Sequence, residues 1–186
     1  MSNNEKKFAS RAGLKLEAAL DAFNIDLGGR VCADFGSHAG GFVDCLLQRG
    51  AAKVYAVEPG YGVLDYRLRK DSRVVVHERT NALRFVSPEP CDLVTIDVGW
   101  TPQRLILPAA RRALKPSGRV VTLIKPHYEA PKEWLRDGVA KTEHLDDILT
   151  ACRRDAAELD WIIADECRSP IEGHGGNVEW LWLLIQ

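Results

Sequence analysis

The chain has 186 residues, of which 46% are hydrophobic, and a formal net charge of −1. That length fits one domain with at most a short appendage, and the composition is that of a soluble globular protein. No apolar run reaches membrane-spanning length, no apolar leader opens the chain, and the five cysteines form no C-x-x-C pair. A reduced, cytoplasmic protein without a metal site or membrane contact is therefore expected.

Only the polar opening MSNNEKK reads as disordered. Residues 10–23 then read as a helix capped by Ser10, with Leu16, Ala19, Leu20 and Phe23 on one face and Arg11 and Lys15 on another. Residues 30–35 are a short strand ending at Gly36. A glycine-rich turn leads to a helix over 41–48. Strands follow at 53–57, 74–77 and 92–96, closed by Glu58, His77 and Asp97. Thr101 and Pro102 open the next helix as N-cap and first residue, and Pro108 should kink it. Residues 116–118 turn into a fifth strand over 120–124, which ends at Lys125. After a loop through Pro126 and Pro131, the best amphipathic helix spans 142–159. Its apolar face is Leu145, Ile148, Leu149, Cys152, Ala156 and Leu159. Two strands, 161–164 and 178–185, finish the chain without a helix between them.

Alternating strands and helices define a doubly wound α/β domain with a mostly parallel sheet. Parallel neighbours need a crossover, so the last of the seven strands should be antiparallel. This is the methyltransferase variant of the Rossmann plan. One domain is expected over residues 1–186, with 1–28 as an extension and leading helix.

Ligands of such sheets bind beyond the strands' C-terminal ends. The first turn reads Asp34-Phe35-Gly36-Ser37-His38-Ala39-Gly40-Gly41-Phe42. Its G-x-x-x-G-G spacing differs from the G-x-G-x-x-G of dinucleotide binders. Glycines allow close approach, and the helix start offers free N–H groups to a carboxylate. Glu58 can accept both hydroxyls of a ribose. Together these features suit S-adenosyl-L-methionine, its amino-acid end at the turn and its ribose at Glu58. Four charged residues, Lys15, Asp97, Lys125 and Glu179, flank the same rim or the leading helix. Taken singly, such residues are more often solvated strand ends.

The segments SRAGLKLEAAL, GSHAGGFVDCLLQRGAAKVYAVEPGYGVLD, RVVVHERTNA, CDLVTIDV, LILPA, LIKPHYE and GNVEW occur in order over nearly the whole chain. In them the sequence resembles the FtsJ-like RNA ribose 2′-O-methyltransferases, most closely their hemolysin-like TlyA branch. The resemblance implies a Lys-Asp-Lys-Glu tetrad on Lys15, Asp97, Lys125 and Glu179. It implies cofactor contacts at Asp34, Gly36, Ser37, His38, Gly40, Gly41, Phe42, Glu58, Asn81 and Asp97. There are departures. Ser-His-Ala stands where the family usually has Thr or Pro before the glycine pair, and Gly99-Trp100 replaces Ser-Phe. The glycine-rich segment after LIKPHYE is reduced to Arg136-Asp137-Gly138-Val139. The S4 RNA-binding domain that usually precedes this domain is expected to be lacking, so recruitment should need a partner or a folded ribosomal particle.

The implied reaction alkylates a ribose 2′-hydroxyl of RNA, expected to be rRNA. Lys125 would stand nearest that oxygen, as a base when neutral or as a cation favouring the alkoxide, oriented by Asp97. Glu179 and Lys15 would complete the network. Eighteen Lys and Arg stand against thirteen Asp and Glu in residues 1–120, and seven against thirteen beyond. Lys6, Lys7, Arg11, Arg67, Arg69, Lys70 and Arg73 are thus candidates for RNA phosphates, with Trp100 or Tyr128 stacking a base. The alternative is a non-catalytic scaffold of the same fold that binds the cofactor or RNA. A base N-methylating enzyme is disfavoured, because Asp97-Val98-Gly99-Trp100 lacks the prolines of its motif. Pro90-Cys91 precedes its strand and so does not suit a cytosine C5 enzyme. Nothing supports a membrane-active hemolysin.

Overall fold

The computed structural model describes residues 7–186; Lys6 and the rest of the opening hexapeptide lie outside the described residues. Its strands are β1 (Val31–Phe35), β2 (Lys53–Val57), β3 (Val74–His77), β4 (Cys91–Ile96), β5 (Leu114–Ile124), β6 (Leu135–Arg136), β7 (Val139–Ala140), β8 (Ile162–Arg168) and β9 (Trp180–Ile185). Its helices are α1 (Ala12–Ala22), α2 (Gly41–Gln48), α3 (Tyr66–Lys70), α4 (Gln103–Ala113), α5 (Pro126–Glu129) and α6 (Leu145–Glu158). Seven strands form one sheet in the order β3-β2-β1-β4-β5-β9-β8, and β6 and β7 form a separate hairpin. β1 to β5 pair in parallel, and β9 runs antiparallel between β5 and β8. The expected architecture is therefore found, last strand included.

Both faces of the sheet are covered, which explains the continuous apolar strands. Cys32, Val54 and Ala56 face a layer with Leu16, Leu20, Val43 and Leu46 of α1 and α2. Ala33, Phe35, Tyr55 and Val57 face the opposite layer with Ile106, Leu107, Ile148 and Cys152 of α4 and α6. Burying a side chain of this size is worth roughly 1.5–3 kcal/mol. Four of the five cysteines are buried, as expected of core residues.

Several local expectations need correction. Ser10 does not cap α1; Arg11 holds that position without a side-chain bond. The Ser10 hydroxyl instead lies against Gly41 at the start of α2. Lys15 is on the buried side of α1, only 6% exposed, because a carboxylate waits for it in the interior. Thr101 does not cap α4 either. Pro102 occupies the N-cap, Thr101 Oγ1 turns back to Gly99 O at 3.1 Å, and Glu129 Oε1 accepts from Gln103 N at 2.9 Å. Pro108 lies inside an unbroken α4. The apolar face of Ile106, Leu107, Ala109, Ala110 and Ala113 holds that helix on the core. Residues 116–118 are not a separate turn but an irregularity within β5, where its register on β4 shifts. α6 begins later than expected, after a 3₁₀ turn over Thr142–His144, and Leu145 and Leu159 are only half-buried. The loop beyond Lys125 holds α5 and the β6–β7 hairpin.

Candidate active site

Parallel strands deliver their C-terminal ends to one edge of the sheet. Asp34, Glu58, Asp97 and Lys125 stand there, at or just beyond the ends of β1, β2, β4 and β5. Glu179 arrives differently. β9 is antiparallel, so its beginning lies at that edge, and Ile124 pairs with Trp180. The residues after Ile124 and before Trp180 are Lys125 and Glu179. A change of strand direction thus brings together groups 54 positions apart in sequence.

Two ion pairs result. Lys125 Nζ lies 2.5 Å from Asp97 Oδ1 and donates to Val98 O at 3.0 Å. Lys15 Nζ pairs with Glu179 Oε2 deeper in, where both side chains are under a tenth exposed. Gly173 allows this second pair. A Cβ there would come within 2.2 Å of Glu179 Oε1, so any side chain would displace the carboxylate. His127 borders the same cluster. Burial, with Lys125, His174 and Lys15 nearby, pushes its imidazole down to about 4, so it is neutral at physiological pH.

A cavity of about 450 Å³ opens at this edge, a size that suits a small ligand. Asp34, Gly36, Ser37, His38, Gly41, Phe42, Glu58, Asn81, Asp97 and Lys125 line it. Asp34 has no exposure; its Oδ1 accepts from Thr95 Oγ1 at 2.6 Å, and its Oδ2 has no partner among the described residues. Burial, opposed by that hydroxyl and reinforced by the Asp97 and Glu58 carboxylates, raises the Asp34 carboxyl to about 7. Ser37 Oγ is likewise buried without a partner. Glu58 is fixed by His38 N at 3.0 Å and Gly60 N at 2.8 Å. Asn81 accepts from Leu83 N at 2.9 Å and so caps the short turn over Ala82–Arg84.

Every residue for which the resemblance implies a cofactor contact lines this cavity except Gly40. Gly40 has φ +96°, and a Cβ on it would meet Leu68 Cδ1 at 2.3 Å and Leu64 Cδ1 at 2.8 Å. Its bareness serves the packing of α3 on α2, not the cavity. Gly36, at φ +86°, abuts the backbone of Asp97 and Val98, where a Cβ would stand 2.6 Å from Asp97 O. Sequence reasoning missed Ser10, Pro59, Leu83 and Ile106 in the lining, and Glu129 behind it. Apolar linings carry no chemical signature. Glu129 had one signal: it is the acid ending LIKPHYE, one turn after Lys125.

The basic residues named for RNA fare unevenly. Arg67 pairs with Asp65, Arg69 with Glu78, Arg73 with Asp71 and Lys7 with Glu17. Arg11 and Lys70 are exposed and form no salt bridge among the described residues. Trp100 is 85% exposed and lies on Tyr128, ring centroids 4.8 Å apart; Lys125 Nζ is 5.5 Å from the Tyr128 ring centre.

A Rossmann-like sheet with paired lysines and carboxylates around a ligand-sized cavity defines a methyltransferase-type domain. The model of the FtsJ-like methyltransferase family matches residues 8–185, and the chain belongs to that family. It is 40% identical over 188 residues to YqxC of Bacillus subtilis, described as a candidate rRNA methyltransferase, covering 97% of this chain and 66% of that protein. It is 41% identical over 194 residues to the 16S/23S rRNA (cytidine-2′-O)-methyltransferase TlyA of Mycobacterium tuberculosis, covering 100% of this chain and 72% of TlyA. A solved structure from Lactococcus lactis, described as a candidate hemolysin, superimposes with a TM-score of 0.92 at 36% identity, covering 97% of this chain and 89% of that one. The chain thus spans about two thirds to three quarters of the curated relatives' length. No described helix is long and apolar enough to cross a membrane.

Proposed function

We propose that this chain, as one catalytic domain, transfers a methyl group from S-adenosyl-L-methionine to a ribose 2′-hydroxyl of rRNA in the cytoplasm. The observation that carries the reading is the Asp97–Lys125 pair at the cavity rim, backed by the buried Lys15–Glu179 pair. The names of the TlyA relatives support the 2′-oxygen and the rRNA.

The residues present fit the cofactor. The unpaired Asp34 Oδ2 offers an acceptor to an ammonium, and the N-terminus of α2 and Ser37 Oγ offer donors to a carboxylate. Glu58, already oriented by two backbone N–H groups, is set to accept ribose hydroxyls. When bound, the cofactor would supply an electrophilic methyl carbon on a sulfonium, for which a neutral thioether is the leaving group.

The chain's part is orientation and charge. An ammonium has three N–H groups. Asp97 Oδ1 and Val98 O take two of those on Lys125, which leaves one for the ribose oxygen. As that oxygen bonds to carbon its proton leaves to water, and Lys125 offsets the developing negative charge. Asp97 holds Lys125 in place and, on the cavity wall, would offset the positive charge of a bound sulfonium. Lys15 and Glu179 fix the floor beneath the ribose. The exposed Trp100, resting on Tyr128, offers a face on which the target base can stack.

The test is incubation with labelled methyl donor and ribosomal subunits, followed by mapping of the modified nucleotide. Label on a 2′-oxygen is the expected result. Label on a base, or none on any ribosomal RNA, would sink the reading.

A further inference from the structure

The cavity accounts for the loop after β2 only as far as Pro59. Beyond it stand two exposed tyrosines, Tyr61 at 69% and Tyr66 at 70% exposure. Each ring carries a cation. The Arg79 guanidinium lies 4.3 Å from the Tyr61 ring centre, and Lys70 Nζ lies 5.4 Å from that of Tyr66. Their neighbours Arg67, Arg69 and Arg73 are each bound to a carboxylate, whereas Arg79 and Lys70 form no salt bridge among the described residues. The two uncommitted cations of this region are therefore the two that sit on exposed rings.

The placement is built. Arg79 has φ +51°, a conformation that non-glycine residues seldom adopt, and its N–H donates to Gly60 O at 3.0 Å. This ties the loop after β3 to the loop after β2 and sets Arg79 over Tyr61. Asp65 N donates to Ala39 O at 3.2 Å, which anchors the Tyr66 end beside the cofactor turn. Tyr61 is three residues beyond Glu58, so the patch continues the rim on which Asp97 and Lys125 stand.

We infer that Tyr61–Arg79 and Tyr66–Lys70 form a second contact surface for single-stranded RNA, which grips nucleotides flanking the target by stacking and phosphate pairing. A cation on one face of a ring leaves the other face for a base. An aromatic ring with an adjacent cation is the unit by which single strands are held without sequence preference. The inference rests on the RNA reading above.

The test uses the whole chain and a labelled oligouridylate of about twenty nucleotides, a probe with weakly stacked bases. Tyr61→Ala with Tyr66→Ala should weaken binding at least about tenfold at unchanged melting temperature, and the double Phe variant should bind like the parent. Arg79→Gln with Lys70→Gln should make the salt slope shallower by about 1.4, from two lost phosphate contacts. Parental affinity in the double Ala variant would overturn the inference, and so would a parent that does not bind the probe. Self-association of the parent that the double Ala variant loses would make the patch a protein contact and overturn it as well. Methyl transfer to ribosomal subunits by the parent, measured alongside, reads the catalytic proposal separately.

Discussion

Asp34 is buried, with one carboxylate oxygen bonded to Thr95 and the other without a partner among the described residues. Its folded value of about 7 lies above the ordinary 3.8. The free protein therefore holds this proton more firmly than the unfolded chain does. The stability this contributes is full below about pH 4 and is lost as pH rises through about 7. Asp34→Asn cannot ionise, so it should raise the melting temperature at pH 8 by at least ~2–4 °C, the equivalent of about 1 kcal/mol, and change little at pH 4. The same substitution should weaken S-adenosylmethionine binding, because an amide is a poor partner for an ammonium. In the parent, calorimetry should find affinity falling by up to about tenfold per pH unit below neutrality; a flat profile would remove Asp34 from the site. Lys125→Ala should lower single-turnover methyl transfer by at least about two orders of magnitude while leaving cofactor affinity nearly unchanged. Lys125→Arg should not rescue it, since a planar guanidinium cannot reproduce the ammonium geometry. Asp97→Ala should be comparably damaging and the double variant little worse. Retention of most of the rate by Lys125→Ala, with both ligands saturating, would refute the assignment.

α5 is only four residues long, yet it braces the segment that follows Asp97. Lys125, just before it, donates to Val98 O; Tyr128 supports Trp100; and Glu129 accepts from Gln103 N at the start of α4. Behind these contacts Gln103 accepts from Thr122 Oγ1 at 2.7 Å and donates to Leu123 O at 3.4 Å. β5, α4 and α5 are thereby locked around the Asp97–Lys125 pair. Burial raises the Glu129 carboxyl from 4.5 to about 7, outweighing the bond from Gln103, with Asp155 adding to the rise and Arg104 opposing it. Its stability contribution is accordingly lost as pH rises through about 7. Glu129→Ala should cost ~1 kcal/mol, as for loss of a helix cap, and lower the turnover rate with little change in cofactor affinity. Glu129→Gln keeps the accepting oxygen. It should restore turnover and flatten the melting temperature against pH around neutrality. If Ala and Gln behave alike, Glu129 is a packing residue only.

For the molecule as a whole, charge pairing limits what the basic residues can offer to RNA. Among the described residues, which hold all of the 25 Lys and Arg except Lys6, twelve stand within salt-bridge distance of a carboxylate. The carboxylate beside each such cation offsets part of the charge it could offer to a phosphate. Affinity for deproteinised rRNA should therefore be low, and its logarithm should fall with the logarithm of salt at a slope shallower than about −3. Methyl transfer to intact ribosomal subunits should be faster than to the same RNA stripped of protein, because a folded particle presents shape as well as phosphate. Equal rates on both, measured at one ionic strength, would show that this chain finds its target through RNA alone.

Much of this was legible in the sequence. Runs such as Lys53–Val57 and Val74–His77 are short, apolar and bounded by turns, so their periodicity and length settled strand and sheet type without tertiary information. The acid after β2, the glycines after β1 and the lysine after β5 were readable because parallel strands send their C-terminal ends to one edge. Other features depended on contacts between segments distant in sequence. Glu179 meets Lys15 across 164 positions because β9 reverses direction, and Glu129 caps a helix whose own Thr101 turns away. Gly40 looked like a ligand glycine and is one that lets Leu64 and Leu68 pack. Arg69 and Lys70 are neighbours of like charge, yet one is bound by Glu78 and the other rides free over Tyr66. Local pattern reports what a segment can become, since backbone geometry and apolar burial act over a few residues. Which charge is neutralised, which glycine faces a cavity and which end is capped depend on the side chain that arrives from elsewhere, and packing alone decides that.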